Sequence, residues 1–506
     1  MIGLLIQDNA YEQDIRELLM SFYPGETYAH EVKEDVDFYV QTRLEDGEAS
    51  IGIWEKPEEK EMKEAGEKEA EGSALKMSAP EGLKDWNLSC FSWGKADLSD
   101  HSATKNVVKK LFYQMLVKRT GHELPWGSLT GIRPTKIALS RLEAGWKEEE
   151  IRSFMKETYM TSDEKIDLSI EIAAREKRLM EPVDYNRGYS LYVGIPFCPT
   201  TCLYCSFTSY PISKWKGRTG LYLEALFKEL EYTAEKMKGR PLDTIYFGGG
   251  TPTSLPAEDI DAILCKLEQL FDTKNVLEFT VEAGRPDSIT EEKLKVLASH
   301  GISRISINPQ TMNQKTLDLI GRRHTVENVK EKFHMARELG FDNINMDLIM
   351  GLPEENLDDV KHTLEEIEAL RPDSLTVHSL AIKRAARLNM FKEEYGDLKI
   401  SNTPEMIALS EACARRMGME PYYLYRQKNM AGNFENVGYS LPGKACLYNI
   451  LIMEELATIV ACGAGTTTKV VFPSENRRER CENVKEVEQY INRVDEMIGR
   501  KEKILN

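Results

Sequence analysis

Residues 189–205 read Tyr-Ser-Leu-Tyr-Val-Gly-Ile-Pro-Phe-Cys-Pro-Thr-Thr-Cys-Leu-Tyr-Cys. An apolar, strand-like run ends near Phe197 and opens at once into a loop that carries Cys198, Cys202 and Cys205. Five further runs of the same kind end near Phe247, Val281, Asn308, Leu348 and His378. Helical periodicity fills the gaps between them, over 221–238, 257–271, 291–300, 316–320 continuing into 326–339, and 357–370. Repeated strand–helix units imply parallel strands joined by right-handed crossovers. Six such units are too few for a closed eight-stranded barrel but enough for an α/β fold with an open, partial (β/α)6 barrel over residues 186–385.

Outward from this barrel the patterns change. Residues 1–95 read as a small α+β unit: an apolar run at 2–7, a helix at 11–22, and alternating strands at 37–43 and 49–54. A charged insertion lies near 55–85. Its first stretch, Glu55–Gly72, holds eight Glu and four Lys among 18 residues and is expected to be solvated and poorly ordered. Residues 96–185 read as a helical region, in which Val107, Val108, Leu111, Phe112, Met115 and Leu116 form one apolar stripe. A turn-rich piece, Pro125–Lys136, interrupts it, and a helix should start at the Pro134-Thr135 step. Arg133 and Lys136 beside that step suit either a structural turn or an anion site. Residues 386–506 read as a mixed, mostly helical C-terminal domain.

The chain has 506 residues and a formal net charge of −17. A general nucleic-acid binder needs a basic face to release counterions, so that class is excluded. No apolar stretch is long enough for a transmembrane helix, and the N-terminus lacks the basic n-region of a signal peptide. A cytoplasmic protein is expected. Nine cysteines without a secretion signal argue for metal binding or catalysis at any cysteine cluster rather than a disulfide framework.

The βα loops of a parallel barrel all emerge at the C-terminal ends of the strands, and functional groups gather there. After the first strand come the three cysteines. Their spacing lets one loop wrap three thiolates around a compact centre. Zinc normally takes four protein ligands, whereas a 4Fe–4S cluster on three thiolates leaves one iron open to a small chelating molecule. Both stay open on spacing alone. After the second strand, Gly248-Gly249-Gly250-Thr251-Pro252-Thr253 allows close backbone approach to a ligand, or simply a tight turn. Glu282, Gln310 and Asp347 end the third, fourth and fifth strands. The two carboxylates suit an ammonium group or ribose hydroxyls, or equally a structural salt bridge. Arg322 could meet a carboxylate as a bidentate fork. His378, Ser379, Ala381, Lys383 and Arg384 follow the sixth strand.

This combination of a Cys-x-x-x-Cys-x-x-Cys loop and a Gly-Gly-Gly-Thr-Pro loop resembles the radical S-adenosylmethionine (SAM) superfamily. More narrowly the chain resembles the oxygen-independent coproporphyrinogen III oxidase family. Tyr192–Cys198, Gly248–Thr253, Val281–Ala283, Ile307–Thr311 and Asn345–Pro353 carry the likeness, which covers about residues 185–390. The long N-terminal part and Gly131-Ile132-Arg133-Pro134-Thr135-Lys136 resemble its HemZ-like branch. The resemblance implies a 4Fe–4S cluster on Cys198, Cys202 and Cys205, with Tyr192 beside cluster and SAM. It places Gly249, Gly250 and Thr251 on the methionine amino end, Glu282, Gln310 and Arg322 on SAM, Asp347 on its ribose, and Ala381 in the adenine pocket. It implies a tetrapyrrole substrate, oxidative decarboxylation of propionates by a 5′-deoxyadenosyl radical, and a low-potential electron donor such as flavodoxin or ferredoxin. Four substrate carboxylates require cations at the barrel mouth, and Lys383, Arg384 and Arg387 are the candidates.

The chain departs from the family in two places. The oxidases carry a further cysteine two residues after the third ligand, where this chain has Phe207. The haem-chaperone relatives also lack that cysteine, but they carry a His-Asn pair in the tail, and no such pair occurs here. Three readings stay open: coproporphyrinogen III decarboxylation, haem trafficking on the same scaffold, and radical chemistry on another tetrapyrrole.

Overall fold

The structure is a computed structural model that describes residues 1–57, 77–131, 133–207, 209–383, 386–391, 395, 397–427 and 434–505. Most of the Glu55–Gly72 stretch lies outside the described residues, as does Arg384. The chain divides into two compact units, Met1–Ile170 and Glu171–Asn506, where composition and pattern pointed to four parts.

In the first unit a five-stranded sheet is ordered Tyr28–Ala29, Ile2–Ile6, Phe38–Glu45, Glu48–Glu55, Asn87–Lys95. The helices Glu12–Phe22 and His101–Thr120 cover it. Val108, Phe112, Met115 and Leu116 of the expected stripe are buried with Leu4, Ile15, Val40 and Ile53. The helical region therefore does not stand alone. A helix with one wide apolar stripe must bury it, and the nearest uncovered apolar surface is this sheet. A helix does start at the Pro134-Thr135 step and runs Thr135–Glu143.

The second unit is built on one 11-stranded sheet. Its centre holds six parallel strands in chain order: Tyr189–Ile195, Leu242–Gly249, Glu278–Gly284, Arg304–Ile307, Ile344–Met350 and Ser374–Ser379. The helices between them include Thr219–Lys236, Ala257–Leu270, Glu291–Ser299, Val326–Glu338 and Leu357–Leu370. The tail is not a separate domain. Thr458–Cys462 pairs in parallel with the first barrel strand, and Thr467–Phe472 and Arg477–Glu482 extend that edge. On the other edge Asn436–Ser440 pairs antiparallel with the sixth strand. An open partial barrel has two strand edges with unpaired backbone groups, and the tail strands satisfy both.

A fully buried ion pair fixes the tail to the barrel's outer layer. Glu229, on the helix Thr219–Lys236, meets Lys501 and also accepts from the Gly463 N–H at 2.7 Å and from Asn483 Nδ2 at 2.7 Å.

Alternation along the strands makes the barrel interior polar. Thr244 donates to Ser190 (2.8 Å), Arg304 to Ser374 (3.1 Å), and Thr376 to Asn345 (3.2 Å). Tyr448, from the tail helix Leu447–Glu454, stacks on Tyr246 with ring centroids 4.4 Å apart, and Tyr246 stacks on Tyr192 at 6.0 Å. Glu278 accepts from the Leu447 N–H at 2.6 Å, a carboxylate at the start of that helix.

Candidate functional site

The three cysteines of the loop are free thiols, and Cys198 and Cys202 are buried at 8% and 7% exposure. Backbone contacts shape the loop: the Cys205 N–H bonds to the Cys202 carbonyl at 3.2 Å and the Leu203 N–H to the Ile320 carbonyl at 3.0 Å. Burial pushes the Cys198 thiol up to about 11, and burial raises Cys205 as well. A metal binding here would displace the thiol protons.

The glycine loop lies against the first cysteine. Thr251 Oγ1 is 3.5 Å from Cys198 Sγ, and the Gly250 and Thr251 N–H groups bond to the Ile195 and Phe197 carbonyls at 2.7 Å each. A Cβ on Gly250 would stand 2.5 Å from the Phe197 carbonyl oxygen and 3.0 Å from Cys198 Sγ. Gly249 has φ +114 and no room for a side chain either. The glycines let this loop pack directly on the first strand and the cysteine loop.

Glu282 faces the interior and accepts from the Tyr246 hydroxyl at 2.6 Å. Burial pushes its carboxyl up to about 7; the tyrosine bond opposes the shift and the charge on Asp347 adds to it. Asp347 behaves oppositely. Burial would raise it, but His378 (Nε2 to Oδ2, 3.9 Å) and hydrogen bonds from Asn345 (2.7 Å) and Thr376 hold it below its ordinary value. The two carboxyls are thus perturbed in opposite directions, Glu282 upward by burial and Asp347 downward by its partners, as happens at functional sites.

Gln310 is a buried non-glycine residue at φ +70, held there by its N–H to the Asp347 carbonyl (2.9 Å) and its carbonyl to the Ile349 N–H (3.0 Å). Its Oε1 has no hydrogen-bond partner, and neither have Asn308 Oδ1, Ser306 Oγ or Arg322 Nε, all of them buried. Arg322 donates to the Tyr204 hydroxyl at 3.1 Å and to the Asn308 carbonyl. Three of the unpartnered atoms, on Ser306, Asn308 and Gln310, gather at the end of the fourth strand, where a bound ligand or water would satisfy them. Tyr192 lies within the tyrosine stack, its hydroxyl 3.2 Å from where a Gly248 Cβ would be. Ala381 is half-buried just past the sixth strand.

Leu388, beyond that strand, meets the cysteine loop. The Leu388 N–H bonds to the Leu203 carbonyl at 3.0 Å, and both leucines pack with Ile320, Ile349, Leu352 and Leu380. Lys383 Nζ stands 5.7 Å over the ring of Phe207, which is 71% exposed. Burial lowers the Lys383 amine, while the neighbouring Cys205 opposes that shift. Arg387 is exposed on the short helix Arg387–Met390, over the Phe391 ring at 5.8 Å.

Arg285 escaped the sequence reading. It is buried, pairs with Asp287 at 2.7 Å, and donates to the Thr200 carbonyl at 3.0 Å and to Cys202 Sγ at 3.6 Å. It clamps the cysteine loop from the third strand's exit. Nothing local in the sequence distinguishes it from a surface arginine. Tyr448, which lines the interior, likewise gave no signal of its role, and His378 was legible as a strand-end group but not as the partner of Asp347.

A parallel partial barrel with a three-cysteine loop after its first strand and a glycine loop after its second has the architecture of a radical SAM protein. The radical SAM superfamily profile matches residues 192–367. The structure most useful for comparison, a coproporphyrinogen III oxidase (HemN) of Escherichia coli described as a radical SAM enzyme, superposes with a TM-score of 0.50 at 23% identity, covering 62% of this chain and 71% of that one. The likeness establishes the fold. The "oxygen-independent coproporphyrinogen-III oxidase-like protein HemZ" of Bacillus subtilis strain 168 is 42% identical over 428 residues, 84% of this chain and 85% of the relative. The "heme chaperone HemW" of the same strain is 34% identical over 244 residues, 48% of this chain and 63% of that one. The chain belongs to the oxygen-independent coproporphyrinogen III oxidase-like family of radical SAM proteins, and a 4Fe–4S cluster and SAM are its cofactors. Among the described residues no helix is long and apolar enough to cross a membrane.

Proposed function

We propose that this protein oxidatively decarboxylates propionate groups of coproporphyrinogen III to the vinyl groups of protoporphyrinogen IX. The observation that carries the reading is that the Leu388 N–H bonds to the Leu203 carbonyl of the cysteine loop and that Lys383 stands over the Phe207 ring just past it. Lys383 and Arg387, the described candidates for substrate carboxylates, thereby come near the cysteine loop although they lie far from it in sequence. Cys198, Cys202 and Cys205 hold the cluster, with Arg285 fixing their loop. Gly249, Gly250 and Thr251 present backbone to the methionine end of SAM. Glu282, Gln310 and Arg322 meet its amino and carboxylate groups, Asp347 its ribose, and Tyr192 and Ala381 border it. When bound, cluster and SAM supply a hydrogen-abstracting radical. The chain's own residues orient the substrate and keep water from the reacting carbon. Lys383, Arg387 and, by its place in the sequence, Arg384 pair with propionates, while the exposed Phe207 ring offers a flat apolar face to the macrocycle.

The 34% identity to a haem chaperone and the phenylalanine at 207 favour a second reading, haem carriage on the same scaffold. Anaerobic reconstitution followed by product analysis separates the two. With a reductant, SAM and coproporphyrinogen III, the enzyme releases protoporphyrinogen and 5′-deoxyadenosine in proportion. Stoichiometric haem binding without any vinyl product would overturn decarboxylation in favour of carriage.

A further inference from the structure

A cluster of side chains able to ligate a metal lies on the outer layer of the barrel. The helix Ala257–Leu270 places Asp261, Cys265 and Glu268 at i, i+4 and i+7, on one face. His300 ends the neighbouring helix Glu291–Ser299 and turns its ring into that face. Its Nε2 is 3.0 Å from Asp261 Oδ1, and Cys265 Sγ is 3.9 Å from Asp261 Oδ2. One donor atom each from Asp261, Cys265 and His300 lies within 4.8 Å of the others. On the far side of the ring, Nδ1 is 2.7 Å from Glu268 Oε1.

Two carboxylates around an imidazole make an ordinary ion pair, and they need no thiol. Here the thiol completes a sulfur, nitrogen and oxygen donor set, and the remaining carboxylate has the orienting role found behind metal-binding histidines. A Glu268 carboxylate accepting the Nδ1–H fixes the tautomer that leaves Nε2 free to ligate. Bonds of 2.0–2.3 Å to zinc place tetrahedral ligands about 3.3–3.8 Å apart, so the observed separations close with shifts of about 1 Å. A mixed S/N/O set selects a borderline-soft cation over magnesium or calcium. Asp261 is exposed, which leaves the fourth position to water.

We propose that Asp261, Cys265 and His300 Nε2 bind one zinc-type divalent cation, with Glu268 as the positioning residue for His300. The cation ties together the helices that follow the second and third strands. His300 closes its helix and Cys265 and Glu268 lie in the C-terminal half of theirs, whereas the cysteine loop follows the C-terminal end of a strand. The site is therefore independent of the cluster and of the function proposed above.

The test uses cluster-loaded full-length protein, so that zinc finds the three loop cysteines occupied. Alkylation of Cys265 by iodoacetamide is followed at its own peptide by mass spectrometry, with and without zinc sulfate, and bound zinc is counted after desalting. One zinc per chain and at least a tenfold slower alkylation of Cys265 are expected. His300→Ala should abolish the protection, and Glu268→Gln should raise the zinc concentration needed for it about 10–100-fold. Equal alkylation rates with and without zinc in the parent protein would overturn the site. Protection that survives His300→Ala, or is unmoved by Glu268→Gln, would overturn the ligand assignment.

Discussion

Replacing Glu282 with Gln should stabilise the cofactor-free protein at alkaline pH and weaken its hold on SAM. Burial lifts the Glu282 carboxyl from an ordinary 4.5 to about 7 in the folded chain. Below pH 4.5 it is neutral both folded and unfolded, and the ionisation costs nothing. Between pH 4.5 and 7 the unfolded chain releases the proton and the folded chain keeps it, so stability falls as pH rises. Above pH 7 the loss levels off near 3 kcal/mol, the free-energy equivalent of that difference and an upper figure because part of the side chain reaches solvent. Gln keeps an acceptor for the Tyr246 hydroxyl, carries no charge to desolvate, and removes the repulsion with Asp347. Urea unfolding of the cofactor-free full chain, followed by circular dichroism, should show Glu282→Gln more stable than the parent by up to about 3 kcal/mol at pH 8 and by under about 1 kcal/mol at pH 5. A difference that is the same at both values, or reversed in sign, would refute a buried carboxyl titrating near neutrality. Calorimetry on the cluster-loaded variant should show weaker SAM binding at pH 8, where the parent offers a full negative charge to the ammonium group.

Anaerobically reconstituted protein should hold about four irons per chain, and replacing Cys198, Cys202 and Cys205 together with Ala should abolish the iron and its visible absorption, whereas Cys265→Ala or Cys413→Ala should not. Asp347→Ala should leave iron content intact and weaken SAM binding about tenfold to a hundredfold, the loss of one charge-assisted hydrogen bond; unchanged affinity in an intact fold would make its pairing with Asn345 and His378 purely structural. Lys501→Met should strand Glu229 as an uncompensated buried charge and cost about 3–5 kcal/mol in urea unfolding; a loss below about 1 kcal/mol would mean that Tyr490 and Asn483 carry the carboxylate without the lysine.

Local spacing and periodicity determined a good deal by themselves. The six strand ends, the cysteine loop, the glycine run and the carboxylates at 282 and 347 were legible because each depends on residues within a few positions of one another. Strand alternation then fixes which side chains point inward. Tertiary structure decided what comes from far along the chain. Thr458–Cys462 adds a seventh parallel strand beside the first, Tyr448 inserts into the tyrosine stack, and the Leu388 N–H bonds to the Leu203 carbonyl. Arg285 looked like any arginine until the fold laid it on Cys202. The division into units was also a tertiary matter, since the stripe on His101–Thr120 specifies that a face must be buried but not against which sheet. Periodicity states the need of each element for a partner. The choice of partner is made by which uncovered edges and faces the folded chain presents, and no local window of sequence contains that information.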